Sequence, residues 1–260
     1  MKGKRFLPVA VVVATVAAAL VGLACSDSTG SETRTLVGPD IALGLGTAHT
    51  EAIVTSAGET QSLTVVLTET ALQGLPMPPA GPGPEFVIPM ATGLTGNVFN
   101  HATLNWQPNG HPPVGTFDKP HFDVHWYLLT IAERDAMTPA DPQFATKATV
   151  RPGAEYEAPS YVGDAFGIPR MGTHWTDQSA PEHHGGTFTR SFIYGYFDGK
   201  LAFIEPMMTV AFLQSNASAE MAIPQPAKFQ RSGAYPTKWA VRHDVTRREY
   251  RVELLGFVKR

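Results

Sequence analysis

Beyond position 25 the 260-residue chain has no cysteine, and Cys25 is the only one it contains. An intrachain disulfide is therefore excluded, and the fold must rest on a hydrophobic core. Long apolar runs are absent apart from the stretch Phe6 to Ala24, and charged residues make up 17% of the chain, interspersed, with no acidic or basic arm. No G-x-G-x-x-G or phosphate loop follows a predicted strand, and no G-x-S-x-G elbow occurs. The usual sequence signs of dinucleotide binding and of a serine nucleophile are thus missing.

At the N-terminus, Lys2, Lys4 and Arg5 precede an apolar run that only Thr15 interrupts. That order, closing on Ala24-Cys25, reads as a secretory signal peptide over 1–24 with Cys25 placed for lipid attachment. Residues 25–35 read as the lipidated cysteine and a flexible Ser/Thr/Gly tether, and 36–260 as a single ectodomain. The predicted location is the bacterial cell envelope, extracytoplasmic, with the membrane as partner through the lipid anchor. An uncleaved span, for which about 18 apolar residues would suffice, is the competing reading. Pro8 and the polar run from Ser26 to Thr33 argue against it. Loss of the leader takes Lys and Arg from 20 to 17 against 23 acidic residues, a formal charge near −6. Nucleic acid is disfavoured as a partner.

The predicted fold is mainly β with a few short helices, α+β being the alternative, as one compact ectodomain of barrel or sandwich type. Strands are expected at 61–68, 85–88, 102–106, 122–129, 188–194, 200–204, 239–242 and 250–258, from runs rich in β-branched and aromatic residues. Thr68 to Leu72 is expected to turn into a short helix. The five prolines from Leu75 to Pro84 exclude both helix and central strand. Asp198-Gly199 is the clearest hairpin signal. Thr130 before Ile131–Met137 predicts a capped short helix stopped by Pro139.

The densest chemistry lies in Pro120-His121-Phe122-Asp123-Val124-His125-Trp126-Tyr127-Leu128. As a strand it places Phe122, Val124, Trp126 and Leu128 on one face and His121, Asp123, His125 and Tyr127 on the other. The H-x-x-x-H spacing invites comparison with zinc proteases, but Phe122 replaces their glutamate base. On an extended strand, His121 and His125 are about 13 Å apart and cannot share one ion, whereas His–Asp pairs two residues apart, at about 7 Å, can converge. Asp123 could instead orient an imidazole from behind. His174, beside Trp175, and Glu205, at the end of an apolar strand and needing a partner there, complete a candidate metal set of His121, Asp123, His125, His174 and Glu205. Imidazole and carboxylate together suit one divalent transition metal, whether zinc, iron, manganese or nickel. The rival reading is a hydrogen-bonded polar cluster with no cofactor. His111 lies in a turn, and His183 and His184 read as an exposed loop. His49, His101 and His243 carry no functional reading, and no residue is assigned a catalytic role.

The runs Phe99–Trp106, Gly110-His111-Pro112-Pro113, Pro120–His125, Met171-Gly172-Thr173-His174-Trp175, Phe192–Gly195 and Glu205-Pro206-Met207 resemble a bacterial extracytoplasmic family of unknown function. That family is related to a sigma-E-regulated Thermus protein, and the resemblance covers 60–258. It implies an exported, homo-oligomeric domain whose histidine motifs are the place to look for a site. It supplies no substrate, small-molecule ligand or named metal. The competing functional class is a non-catalytic envelope protein that binds a ligand or assembles, its histidines only hydrogen-bonding.

Overall fold

A computed structural model describes Met1 and residues 32–260. The signal segment and Cys25 lie outside the described residues. Of the stretch read as tether, its last three residues already belong to the first strand, β1 (Thr33–Val37). Two further strands, β2 (Ile41–Leu43) and β3 (Gly46–Thr55), precede β4 (Thr60–Thr68), whose alternating apolar residues continue into a single 3-10 turn at Glu69–Leu72.

The proline-rich segment then carries the chain, without regular structure, to a second sheet. Its strands are β5 (Glu85–Ile88), β6 (His101–Gln107), β7 (His121–Tyr127), β8 (Tyr161–Gly163), β9 (Thr173–Asp177), β10 (Arg190–Phe197) and β11 (Lys200–Thr209). The excursion from β7 to β8 includes α1 (Ile131–Ala136) and α2 (Phe144–Ala148). Thr130 and Glu133 close α1 with a reciprocal capping box, as the Thr130 signal predicts. Asp198 and Gly199 turn β10 into β11 with φ of 52° and 68°, the left-handed pair that a two-residue hairpin requires.

After β11 a short α3 (Val210–Gln214) leads back to the first sheet through β12 (Ala219–Ala222), β14 (Lys238–Asp244) and β15 (Glu249–Leu255). A small ladder pairs β13 (Ala234–Tyr235) with β16 (Val258–Lys259). The first sheet runs β1-β3-β4-β15-β14-β12 with β2 beside β3; the second runs β5-β6-β7-β11-β10-β9-β8. All strand pairs are antiparallel. Two open sheets stacked on a shared core make this a sandwich rather than a barrel. Among the described residues no helix is long and apolar enough to cross a membrane.

The core between the sheets takes Leu63, Val65 and Leu67 of β4 and Val252 and Leu254 of β15 against Leu104, Trp106, Phe122, Val124, Trp126 and Tyr194 of the second sheet. The alternation of β7 therefore holds: its apolar residues face this core. The opposite face of β6 and β7 is buried as well, since every residue of both strands is buried. The loops after β6, β7 and β9 cover it, adding Phe117 and Phe188 to a satellite cluster with Ile193 and Met207.

Candidate functional site

The covered outer face of the second sheet gathers the ionisable row of β7. Strand β6 lays Gln107 opposite His121, Asn105 opposite Asp123 and Thr103 opposite His125. On the other side β11 lays Thr209 opposite His121 and Met207 opposite Asp123. Pairing between β7 and β11 resumes at Ile204 with Trp126, skipping Glu205 and Pro206. Pro206 has no N–H to give to a ladder, and the ladder between the two strands is interrupted beside His125, where Glu205 lies.

The five sequence candidates do not form one site. The structure brings His125, His174 and Glu205 together and places His121 and Asp123 in a second group with His111. Within each group the three potential ligand atoms lie within 4.8 Å of one another. The separation of His121 from His125 follows from strand geometry, since four residues of extended chain hold them too far apart to meet.

In the first group, Glu205 Oε2 stands 3.5 Å from His125 Nε2 and 3.7 Å from His174 Nε2. His174 reaches Glu205 from β9 by crossing β10 at Gly195, which lies opposite it in the ladder. A Cβ at Gly195 would fall 2.1 Å from the Phe203 ring. The missing side chain lets that ring pack 4.7 Å from the His125 ring and 5.3 Å from that of His174. Burial pushes the His125 imidazole down to about 3 and that of His174 down to about 4. Both rings are therefore uncharged at neutral pH. Burial, reinforced by the carboxylates of Asp123 and Asp164, drives Glu205 well above the usual carboxylate range. Both ring nitrogens of His125 and the facing oxygen of Glu205 are buried without a hydrogen-bond partner among the described residues.

In the second group, His121 Nε2 is 3.0 Å from Asp123 Oδ1 and His111 Nε2 is 3.7 Å from Asp123 Oδ2. Gln107 Nε2 donates to Asp123 Oδ2 at 2.8 Å. Burial alone would raise Asp123, but His121 and His111 outweigh it and hold the carboxyl well below its ordinary value. The same carboxylate raises His111 against the opposing pull of burial.

Sequence reasoning missed His111 and Gln107. His111 belongs to a turn that returns to bridge Phe117, and only that closure brings its ring to β7. His183 and His184 fall on a 3-10 turn, Pro181–His184, rather than in an open loop. His184 is exposed, while His183 is half-buried, edge-on to Phe117 at 5.9 Å between ring centres. Solvent reaches the two groups only at His111 and His174, whose side chains are 29% and 15% exposed. A cavity of about 350 Å³ lined by Tyr161, Arg190, Phe192, Met221 and Trp239 includes none of the six clustered residues. Another, of about 200 Å³, reaches Asp164, Thr173 and Trp175 beside His174.

A family model described as TTHB210-like, "Hypothetical protein TTHB210", matches residues 55–106. The likeness agrees with a Thermus-related family of unknown function over the stretch from the end of β3 to β6. It stops before all six clustered residues. No curated protein and no solved structure matches the chain.

Proposed function

We propose that this chain is an exported lipoprotein whose ectodomain holds a divalent transition-metal ion between His125, His174 and Glu205. The spacing of the three ligand atoms carries this reading. The 3.5 and 3.7 Å separations between Glu205 Oε2 and the two imidazole nitrogens exceed the roughly 2.7–3.2 Å of an N–H···O hydrogen bond. Ligands bound at about 2.1 Å on a tetrahedral ion stand about 3.4 Å from one another, which matches. Two neutral imidazoles offer lone pairs at once, and a cation would relieve the cost of an ionised Glu205 in this buried setting.

Two histidines and one carboxylate suit zinc, and the same set suits ferrous iron, manganese or nickel. Three protein ligands leave a coordination position for water or a small molecule. The slightly exposed edge of His174 is the side from which that position would be reached. Phe203 closes the other side.

The test is metal analysis of tag-free full-length protein, stripped and then reconstituted with zinc. The wild-type chain is expected to bind zinc and the Glu205→Gln variant, which keeps the side-chain shape, to lose that bound ion. Failure to take up any transition metal after reconstitution would leave the histidines as a hydrogen-bonding cluster and sink the metal reading.

The lipoprotein half of the proposal rests on the leader and Cys25. Replacing Cys25 by serine is expected to release the protein from membranes or to leave an uncleaved precursor. Unchanged membrane extraction together with an unchanged mature mass would show that the cysteine is not the anchor.

A further inference from the structure

We infer that His111, His121 and Asp123 form a second, separate site for a divalent transition-metal ion. Each imidazole is anchored from behind. His111 Nδ1 lies 2.7 Å from the Pro112 carbonyl and His121 Nδ1 2.6 Å from the Lys119 carbonyl. A carbonyl only accepts, so Nδ1 of each ring carries a proton and Nε2 is the nitrogen that each ring turns toward Asp123. Histidines that bind metals are held in this way, the rear N–H fixing tautomer and ring orientation.

His121 Nε2 and Asp123 Oδ1 are 3.0 Å apart without the alignment of a hydrogen bond, and both are buried with no other partner among the described residues. With Nε2 of both rings deprotonated, as a bound metal requires, two nitrogen lone pairs and a carboxylate converge on one point, an arrangement that a cation between them stabilises. Gln107 holds the far side of Asp123, which leaves Oδ1 to face the imidazoles. The His111 and His121 rings are 4.8 Å apart at 65° to each other. Phe117 and Phe188 wall the group at 5.5 Å from the His111 ring and 5.2 Å from the His121 ring. The exposed edge of His111 is the entrance.

This site is distinct from the Glu205 site. No side chain belongs to both triads, and Asp123 and His125, the closest members along β7, have α-carbons about 7 Å apart on an extended strand. Ions bridged by a shared carboxylate would stand about 3.5–4 Å apart. The geometry therefore points to two mononuclear sites on one sheet face. The inference does not depend on the Glu205 site, because its ligands and their anchoring are its own.

The experiment is a titration of stripped full-length protein with cobalt(II), followed by its absorption spectrum and by metal analysis. Wild type is expected to bind two ions and His111→Ala one. His111 sits on a loop and is partly exposed, so its loss should leave the sandwich intact, as circular dichroism would confirm. Asp123→Asn keeps the side-chain shape and the Gln107 contact and should also bind one. Glu205→Gln should bind one, and the double variant His111→Ala/Glu205→Gln none. Two ions retained in both His111→Ala and Asp123→Asn would overturn the inference, as would a single wild-type ion insensitive to these changes. A single ion lost in His111→Ala but kept in Glu205→Gln would uphold this site and remove the other. No ion in wild type would remove both.

Discussion

Phe203→Ala is expected to lower the free energy of unfolding by about 3–5 kcal/mol and to let water reach the His125–His174–Glu205 group. The ring is fully buried on the outer face of the second sheet. It touches the His125, His174 and Tyr127 rings at 4.7, 5.3 and 5.3 Å between centres. Removing it leaves a cavity in the middle of the sheet face, where strands cannot move together to fill it. Phe203→Leu, which empties less volume, should cost less. Urea unfolding measures both, and an unchanged slope would show that stability rather than the unfolded state has moved. Rehydration has its own signature in metal-stripped protein. Burial holds the His125 imidazole at about 3, so opening the wall should raise its titration toward 6.5, read by NMR. A variant as stable as wild type, with His125 still titrating near its buried value, would show that Phe203 shields nothing.

Zinc at a thousandfold excess over its dissociation constant is expected to stabilise the folded chain by about 4 kcal/mol for each site filled. The unfolded chain has no assembled triad: β7, β9 and β11 supply His125, His174 and Glu205, and these meet only when the sheet has formed. Binding energy thus becomes folding energy. For a domain of this size each kcal/mol moves the melting temperature by about 2–4 °C, so one site should shift it by about 8–16 °C. Chelator should reverse the shift. Glu205→Gln should abolish the share of its own triad while leaving that of the His111 group. A melting temperature unmoved by zinc in wild type would contradict both metal readings.

How far these sites could be read beforehand differs residue by residue. The partition of β7 into an apolar face and an ionisable face was legible, because alternation is a property of consecutive residues in an extended chain. That His121 and His125 could not share an ion was legible for the same reason. Glu205 stood out as a carboxylate at the end of an apolar strand, which was expected to stop at Ile204. In the structure β11 continues to Thr209 and tolerates Pro206 by skipping its pairing with β7. Beta9 escaped as a strand because its five residues, Thr173–Asp177, are short and half polar. His111 escaped as a ligand because nothing in a turn sequence says which strand the turn will close upon.

The sequence by itself determined an apolar-versus-ionisable alternation along β7, a β-rich class, a short capped helix and a hairpin, all of them set by neighbours along the chain. Its lack of cysteine after Cys25 already required a core to hold the ectodomain. Only the tertiary structure decided that the histidines and carboxylates divide into two triads instead of one set of five. It did so through the register of β9, β10 and β11 against β7, the missing side chain of Gly195, and the return of the His111 turn. Each of these pairs residues far apart in the chain, and such pairings follow from how whole sheets and loops pack, not from the local pattern of any one segment.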